Sequence, residues 1–380
     1  MSIRPLAPPD DFPALSDYLY FDAASIAIMP RRCRRDMMDF TDSILHVGTV
    51  SLDEETETEA LEMPRRQAAS LLGADVGNIA ITSSATEGLC QLAWGIRPRG
   101  NVVSLDMEFP SVTYPWYRIA QETGAEVRLV PAIDRQPSME AIADRIDSDT
   151  EVVCISHVQY ATGYRVDLEE LAKICRENGT LLIVDATQSA GVVPIDVARS
   201  GVDALVSASY KWLCGPFGAA VLYVSPQLMR SIEPAFVGWR SKTDPFEFDA
   251  VNFDYHSDAR RYEFSTMSYT AAYGLGKSIN YILDLGVQRI MEHGMALAGQ
   301  LEEGLRQLDA EVMRPAPEEA SPIVTARFPG LDSRQVAREL ERRRVIISHR
   351  FGAIRFSPHF YNSSEDVDRV LEVVGSIKRR

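Results

Sequence analysis

LLIVDATQSAG, residues 181–191, decides the fold: an apolar run of strand character ends at Asp185 and gives way to small and polar residues, with Gln188 three places on. A second run of the same kind, ALVSA at 204–208, empties into Ser209, Tyr210 and Lys211 and then the turn Gly215, Pro216, Phe217, Gly218. Working outward, NIAIT (78–82), NVVSL (101–105), EVRLV (126–130) and EVVCIS (151–156) repeat the pattern. Between them lie segments of helical period, such as 87–94 and 168–177, the latter entered through Asp167 as its cap. This alternation is that of an α/β fold with a mostly parallel sheet, and ligands of such sheets bind at the carboxyl ends of the strands.

Beyond residue 275 the pattern changes to charged helices, expected over 276–309 and 333–343, with short strands at 322–328 and 345–348. At 380 residues the chain exceeds what one core usually serves. The reading is therefore a large domain, 21–274, and a smaller α+β domain made of 1–20 and 275–380. PAPEE at 315–319 reads as a surface turn, and the aromatic, aperiodic stretch 231–262 as a loop over a site or part of a subunit interface. Gly276, Lys277 and Ser278 imitate the end of a phosphate loop, but no strand precedes them, and they read as a helix start.

A formal net charge of −15 argues against nucleic acid and against acidic membrane surfaces as partners. The arginines at 31, 32, 34 and 35, interleaved with Cys33 and followed by Asp36 and Asp39, read as a solvated helix face. Five cysteines, at 33, 90, 154, 175 and 214, form no CxxC pair, which suits reduced, buried thiols. With no leader-like start and no run of eighteen apolar residues, the expectation is a cytoplasmic protein. The six histidines show no metal-ligand spacing, so no metal is expected, and no GxGxxG follows the first strand, which sets a nicotinamide dehydrogenase aside.

Four features carry chemistry. Ser83, Ser84, Ala85 and Thr86 lie between a strand and a helix, where free N–H groups and the helix dipole favour an anion, although an ordinary Ser/Thr cap reads the same way. Asp185 at its strand end could keep a pyridine nitrogen protonated, or simply cap the next helix. Lys211, if partly desolvated in the crevice, becomes a nucleophile near neutral pH, whereas alone it reads as a solvated strand-end lysine. Arg355 in GAIRFSPHFYN offers a bidentate receiver for a carboxylate, or is a surface arginine.

Together these segments resemble the aminotransferase class V family of fold-type I enzymes that use pyridoxal 5'-phosphate (PLP). The resemblance runs in order through FDAAS (21–25), TSSATEG (82–88), EFPS (108–111), HVQYATG (157–163), VDATQSAG (184–191), SYKWLCGPFG (209–218), RRYEFST (260–266) and RFSPHFYN (355–362). It implies that Ala85 and Thr86 hold the phosphate, Asp185 pairs with the pyridine nitrogen, Gln188 touches the ring oxygen, Phe109 stacks on the ring and Lys211 carries the imine. It further implies cofactor contacts for Ser209 and Tyr210, a homodimer in which Thr266 reaches the neighbour's phosphate, and Arg355 holding the carboxylate of an amino-acid-like substrate. For Gln159 and Tyr160, packing and cofactor contact stay equally open.

The departures narrow the reaction. Family members that remove sulfur from cysteine carry a reactive cysteine in a loop shortly before the carboxylate arginine, but here Ser348, His349, Arg350, Phe351 and Gly352 lead to Arg355, and no cysteine lies beyond Cys214. A persulfide-forming desulfurase is therefore disfavoured. The ring-stacking position is Phe109 instead of histidine, and Tyr210 precedes the lysine where a histidine is usual. The SYKW and GPFG segments lean toward the epimerase-like and lyase-like branch. The expected reaction is β-elimination from a cysteine-derived substrate, with transamination next, epimerisation after it, and a non-catalytic PLP-fold binding or regulatory protein as the reading of another class.

Overall fold

The computed structural model of the chain describes residues 2–132 and 137–378. A short strand β1 (Leu19–Tyr20) is followed by two long helices, α1 (Arg31–Val47) and α2 (Glu54–Leu72). Strands and helices then alternate through β2 (Ile79–Thr82), α3 (Ala85–Ile96), β3 (Asn101–Leu105), α4 (Pro110–Thr123), β4 (Glu126–Val130) and α5 (Met139–Ala143). The alternation continues through β5 (Thr150–Ser156), α6 (Leu168–Glu177), β6 (Leu181–Asp185), α7 (Val197–Ser200), β7 (Ala204–Ala208), β8 (Ala220–Val224) and α8 (Pro226–Ser231).

Seven strands form one sheet in the order β2-β8-β7-β6-β5-β3-β4, in which β8 runs antiparallel to both neighbours and the remaining pairs are parallel. Side chains alternate across a strand, and the core follows that period. Val102, Val152 and Ile183 pack with Leu92 of α3 and Trp116 of α4, whereas Val103, Val153 and Leu182 pack with Leu61 of α2 and Leu171 of α6 on the other face. A sheet covered on both sides explains why its strands read as unbroken apolar runs. The expected strands at 101–105, 126–130, 181–185 and 204–208 lie where they were read, and Asp167 caps α6 by accepting from Glu169 and Glu170 N–H. Strand β8, AVLYV, was not among the expected elements.

The rest of the chain holds α9 (Tyr269–Leu285), α10 (Val287–Gln307), β9 (Glu311–Met313), β10 (Val324–Arg327), α11 (Ser333–Arg342), β11 (Val345–Ile346), β12 (Ser348–Arg350), β13 (Ala353–Phe356) and α12 (Ser364–Lys378). An antiparallel sheet of order β12-β13-β10-β9 carries its own core, including Leu301, Val324, Leu340, Ile354, Phe356 and Val370, while β1 pairs with β11. The helix expected over 276–309 is two helices, divided at Gly286 with φ 84°, and the strand expected at 345–348 is likewise interrupted. Gly276–Ser278 is no helix start but the middle of α9. Its glycines answer to packing, because a Cβ on Gly276 would lie 2.3 Å from Met63 Sδ of α2 and one on Gly274 would lie 2.4 Å from Met37 Sδ of α1.

Among the described residues no helix is long and apolar enough to cross a membrane, and no group of histidine, cysteine or acidic side chains is arranged to hold a metal ion.

The outer edge of β2 is fastened by a buried ion pair. Arg65 Nη1 lies 2.5 Å from Glu263 Oε2, both side chains are almost without exposure, and Glu263 Oε1 accepts from Ile81 N–H at 2.8 Å. Arg65 keeps Glu62 as a second partner, so loss of Glu263 chiefly leaves the buried Ile81 N–H without its acceptor. Glu263→Ala is expected to lower stability by about 1–3 kcal/mol in urea unfolding. Glu263→Gln with Arg65→Met, which keeps an acceptor for Ile81, should recover part of that loss.

Candidate active site

The carboxyl ends of β2, β3, β5, β6 and β7 open on one crevice. Its wall contains Ala85 and Thr86, Phe109, Tyr160, Asp185 and Gln188, and Tyr210 and Lys211, each delivered by a different strand-to-helix connection or turn.

Lys211 owes its place to β8. An antiparallel neighbour needs no crossover helix, so the chain reverses within 209–219 and Lys211 stands in the reversal at the sheet edge. The turn is tight: Gly215 N–H donates to Ser209 O at 2.8 Å, and a Cβ on Gly215 would sit 3.1 Å from that of Ser209. Lys211 Nζ makes no hydrogen bond or ion pair among the described residues and lies 5.3 Å from the Phe109 ring centroid. Burial lowers its pKa to about 8, against the opposing pull of Asp185 and with help from the positive charges of Arg355 and Arg350.

Asp185 is buried, and Oδ1 accepts from Thr187 N–H at 2.8 Å. Burial raises its pKa, while Thr187 and Lys211 favour the charged form. At the start of α3, Ser84 Oγ accepts from Glu87 N–H, leaving the Ala85 and Thr86 N–H groups without acceptors among the described residues, and Thr86 Oγ1 lies 2.8 Å from Ser111 Oγ. An unpaired N–H pair at a helix N-terminus, a desolvated acid and a desolvated amine in one cleft match the phosphate, ring nitrogen and aldehyde of PLP. Gln188 lies between them with Oε1 taken by Trp212 Nε1 (2.7 Å) and Nε2 donating to Ala24 O (2.9 Å). Phe109 is 44% exposed at the mouth and meets Tyr160 edge to face at 5.6 Å, while Tyr210 stacks on Phe217 at 4.5 Å.

Four of the expected residues lie outside the wall. Ser209 is fully buried with its hydroxyl turned to Pro216 O, so it shapes the turn. Gln159 is also fully buried and donates to Glu108 Oε1 at 2.7 Å. Thr266 is exposed on the segment before α9. Arg355, at 1% exposure, stands behind the wall: Nη2 lies 3.1 Å from Asp22 Oδ1 and donates to Ser25 Oγ (2.6 Å), Nη1 donates to Tyr160 O (2.7 Å), and Nε has no partner.

Sequence reasoning gave no role to Glu108, although it sits beside Phe109 in a quoted segment. Its carboxylate accepts from Ser156 N–H (2.8 Å), Ser156 Oγ and Gln159 Nε2, which clamps the β3–α4 connection to the end of β5. Burial pushes its pKa up to about 7 despite these donors, and Asp185 adds to the rise. An acid beyond the end of an apolar strand was the available signal.

The family model for aminotransferase class-V matches residues 19–370. An uncharacterized aminotransferase of Bacillus subtilis (strain 168), YcbU, is 29% identical over 96% of this chain and 96% of its own. A probable cysteine desulfurase of Methanothermobacter thermautotrophicus is 28% identical over 97% of this chain and 96% of its own. The apo structure of a cysteine desulfurase from Thermococcus onnurineus NA1 superposes with a TM-score of 0.88 at 26% identity, covering 97% of this chain and 96% of that one. The chain belongs to the aminotransferase class-V family and is a PLP-dependent enzyme of fold type I, a transferase or lyase.

Proposed function

We propose that the enzyme catalyses β-elimination from a cysteine-derived amino acid. The observation that carries this reading is Lys211, a desolvated amine without a partner, set between Asp185 and the aromatic pair Phe109 and Tyr160 at the crevice mouth. PLP, when bound, supplies an aldehyde that takes up amines and a ring that accepts electrons. Lys211 would hold the aldehyde, Asp185 the ring nitrogen, Ala85 and Thr86 the phosphate, and Phe109 would cover the ring face. Once released by the substrate amine, Lys211 Nζ takes the proton from the substrate α-carbon. Arg355 would take the α-carboxylate, as the resemblance implies, by giving up its bonds to Ser25 Oγ and Tyr160 O. Burial raises the pKa of Tyr160, which keeps its hydroxyl protonated as a hydrogen-bond donor at the crevice wall, and a departing thiolate would take its proton from solvent.

Relatives named as cysteine desulfurases support chemistry at a carbon–sulfur bond. In this chain β12 and β13 are joined by Phe351 and Gly352 alone, both at positive φ, so a two-residue turn occupies the place where the resemblance puts a cysteine-bearing loop. The sulfur then leaves as a free thiol. Transamination is the second reading, favoured by the likeness to an aminotransferase over almost the whole chain. We further read the chain as a large unit, 21–274, with a smaller one from 1–20 and 275–380, supported by the distinct seven-stranded and four-stranded sheets and by a cluster drawn mostly from 297–374, although Phe12, Ile282 and Phe360 pack into the core of the larger unit. A homodimer in which Thr266 reaches the partner's crevice is supported by its exposure away from its own.

Cysteine thioethers are expected to yield pyruvate and free thiol with the near-visible cofactor band retained; bleaching of that band to the amine form without pyruvate would establish transamination instead. Lys211→Ala should abolish turnover and the lysine-bound cofactor absorbance, and an unchanged spectrum removes Lys211 from its role. Because its pKa is lowered, the neutral amine of Lys211 reaches one half at about pH 8. The rate at which cofactor-free protein takes up PLP should therefore rise to a plateau above that pH, as read by absorbance.

Glu108 gives a signature in stability. A carboxyl whose folded pKa is raised from 4.5 to about 7 binds a proton in the folded state that the unfolded state has lost, so its contribution is intact below pH 4.5 and is lost as pH rises toward 7. The slope in that window is about 1.4 kcal/mol per pH unit. Urea midpoints of cofactor-free protein between pH 5 and 8 should fall less steeply in Glu108→Gln than in the wild type.

A further inference from the structure

The antiparallel register of β12 and β13 sets Ser348 opposite Arg355 and Arg350 opposite Ala353. Alternate residues of a strand share a face, and directly opposed residues share it too. Ser348, Arg350 and Arg355 therefore project together, toward the FDAAS segment and Tyr160. There the hydrogen bonds form one network: Ser348 Oγ donates to Asp22 Oδ2 at 2.9 Å and lies 2.8 Å from Ser25 Oγ, and Arg355 Nη2 is shared between Asp22 Oδ1 and Ser25 Oγ. Arg350 joins from the outer side, with Nη2 3.4 Å from the same Ser25 Oγ and Nη1 donating to His349 O at 2.8 Å.

The charges of this network do not cancel. It holds two guanidinium groups and one carboxylate, and both oxygens of Asp22 are occupied, by Arg355 and by Ser348. Arg350 makes no ion pair among the described residues and is half-buried. It shares the strand face of Arg355, and its neighbour Phe351 meets the Tyr160 ring at 6.0 Å, which places it beside the crevice. In a chain of net charge −15 this is a local inversion of sign, placed where a ligand enters.

We propose that Arg350 receives a second carboxylate of the substrate, at the far end of its side chain, and that the enzyme selects amino acids with two acidic ends, including cysteine thioethers that bear a distal carboxylate. The inference rests on the PLP site read above, with Arg355 serving the α-carboxylate. One arginine partly neutralised by Asp22 and tied to Tyr160 fixes the reacting end. A second, free of any acid and one serine hydroxyl away, is left for the other. A guanidinium meets a carboxylate through two parallel N–H donors, which an amide of the same shape cannot match.

The test uses the PLP-loaded enzyme and isosteric pairs, L-aspartate against L-asparagine and L-glutamate against L-glutamine. Binding is followed by calorimetry and by the change each amino acid causes in the cofactor spectrum. The wild type should bind at least one acid about tenfold more tightly than its amide, the scale of one charge-assisted hydrogen-bonded contact. Arg350→Gln should remove that preference while leaving the amide's affinity in place. Arg350→Lys, which keeps the charge and loses the fork, should restore part of it, and added salt should erode it. An acid-to-amide ratio near one in the wild type overturns the proposal, whatever the variants do, and so does a preference that survives Arg350→Gln. If no amino acid perturbs the spectrum, the reading of the site falls and this inference with it; a response to the amides without preference for the acids overturns the inference alone.

Discussion

An amine that must react near neutral pH has to be taken out of water without being given a permanent partner, and most of this structure can be traced to how Lys211 meets that constraint. Burial disfavours its charged form, and an adjacent carboxylate restores it. Asp185 therefore has to be near enough to serve the same ligand yet make no ion pair with Nζ, and none is present among the described residues. The reversal from β7 into antiparallel β8 sets Lys211 in a short turn at the end of β7, where the other wall residues arrive by strand-to-helix connections. The closeness of Gly215 to Ser209, and the burial of Ser209 against Pro216, hold the reversal in one shape.

The surrounding charges are arranged in depth. Asp185 and Glu108 lie at the base, and burial raises both pKa values. Asp22 and Arg355 lie buried behind the wall, and Arg350 joins them from the more exposed side with a surplus positive charge. An anionic ligand entering from that side meets an attractive charge before it meets an acid. Asp185 and Asp22 in turn oppose the lowering of the Lys211 pKa by burial and by the two arginines. Glu108 also has a mechanical part: three donors on β5 and its following turn fix the β3–α4 connection and with it the Phe109 ring.

The elements that sequence disclosed were those whose cause is local. Strands 181–185 and 204–208 are buried on both faces and read as apolar runs, and Asp167 caps α6 with its own side chain two and three residues from the N–H groups it serves. Strand β8 escaped because AVLYV comes closely after a glycine turn and only its pairing with β2 and β7 gives it a direction. The backbone positions of Lys211, Asp185 and the start of α3 were legible from strand ends alone, whereas Phe109 came only through the family resemblance. Side-chain directions were not. Gln159 turns inward because Glu108, 51 residues away, accepts from it, and Arg355 is drawn behind the wall by Asp22, 333 residues away. Such partners are set by tertiary packing and leave no local pattern.

The turn between β12 and β13 joins these two levels. Two residues at positive φ, Phe351 and Gly352, close the hairpin so tightly that Arg350 is paired with Ala353 directly across the strands. A longer connection would relax that register, and with period-two alternation a shift of one residue would send Arg350 to the opposite face of the sheet. The brevity of the turn thus has two consequences from one cause: it leaves no span on which a nucleophilic cysteine could reach the crevice, and it fixes a second guanidinium beside the first. The tightness of one turn thus sets both what this face of the sheet lacks and which two guanidinium groups stand together on it.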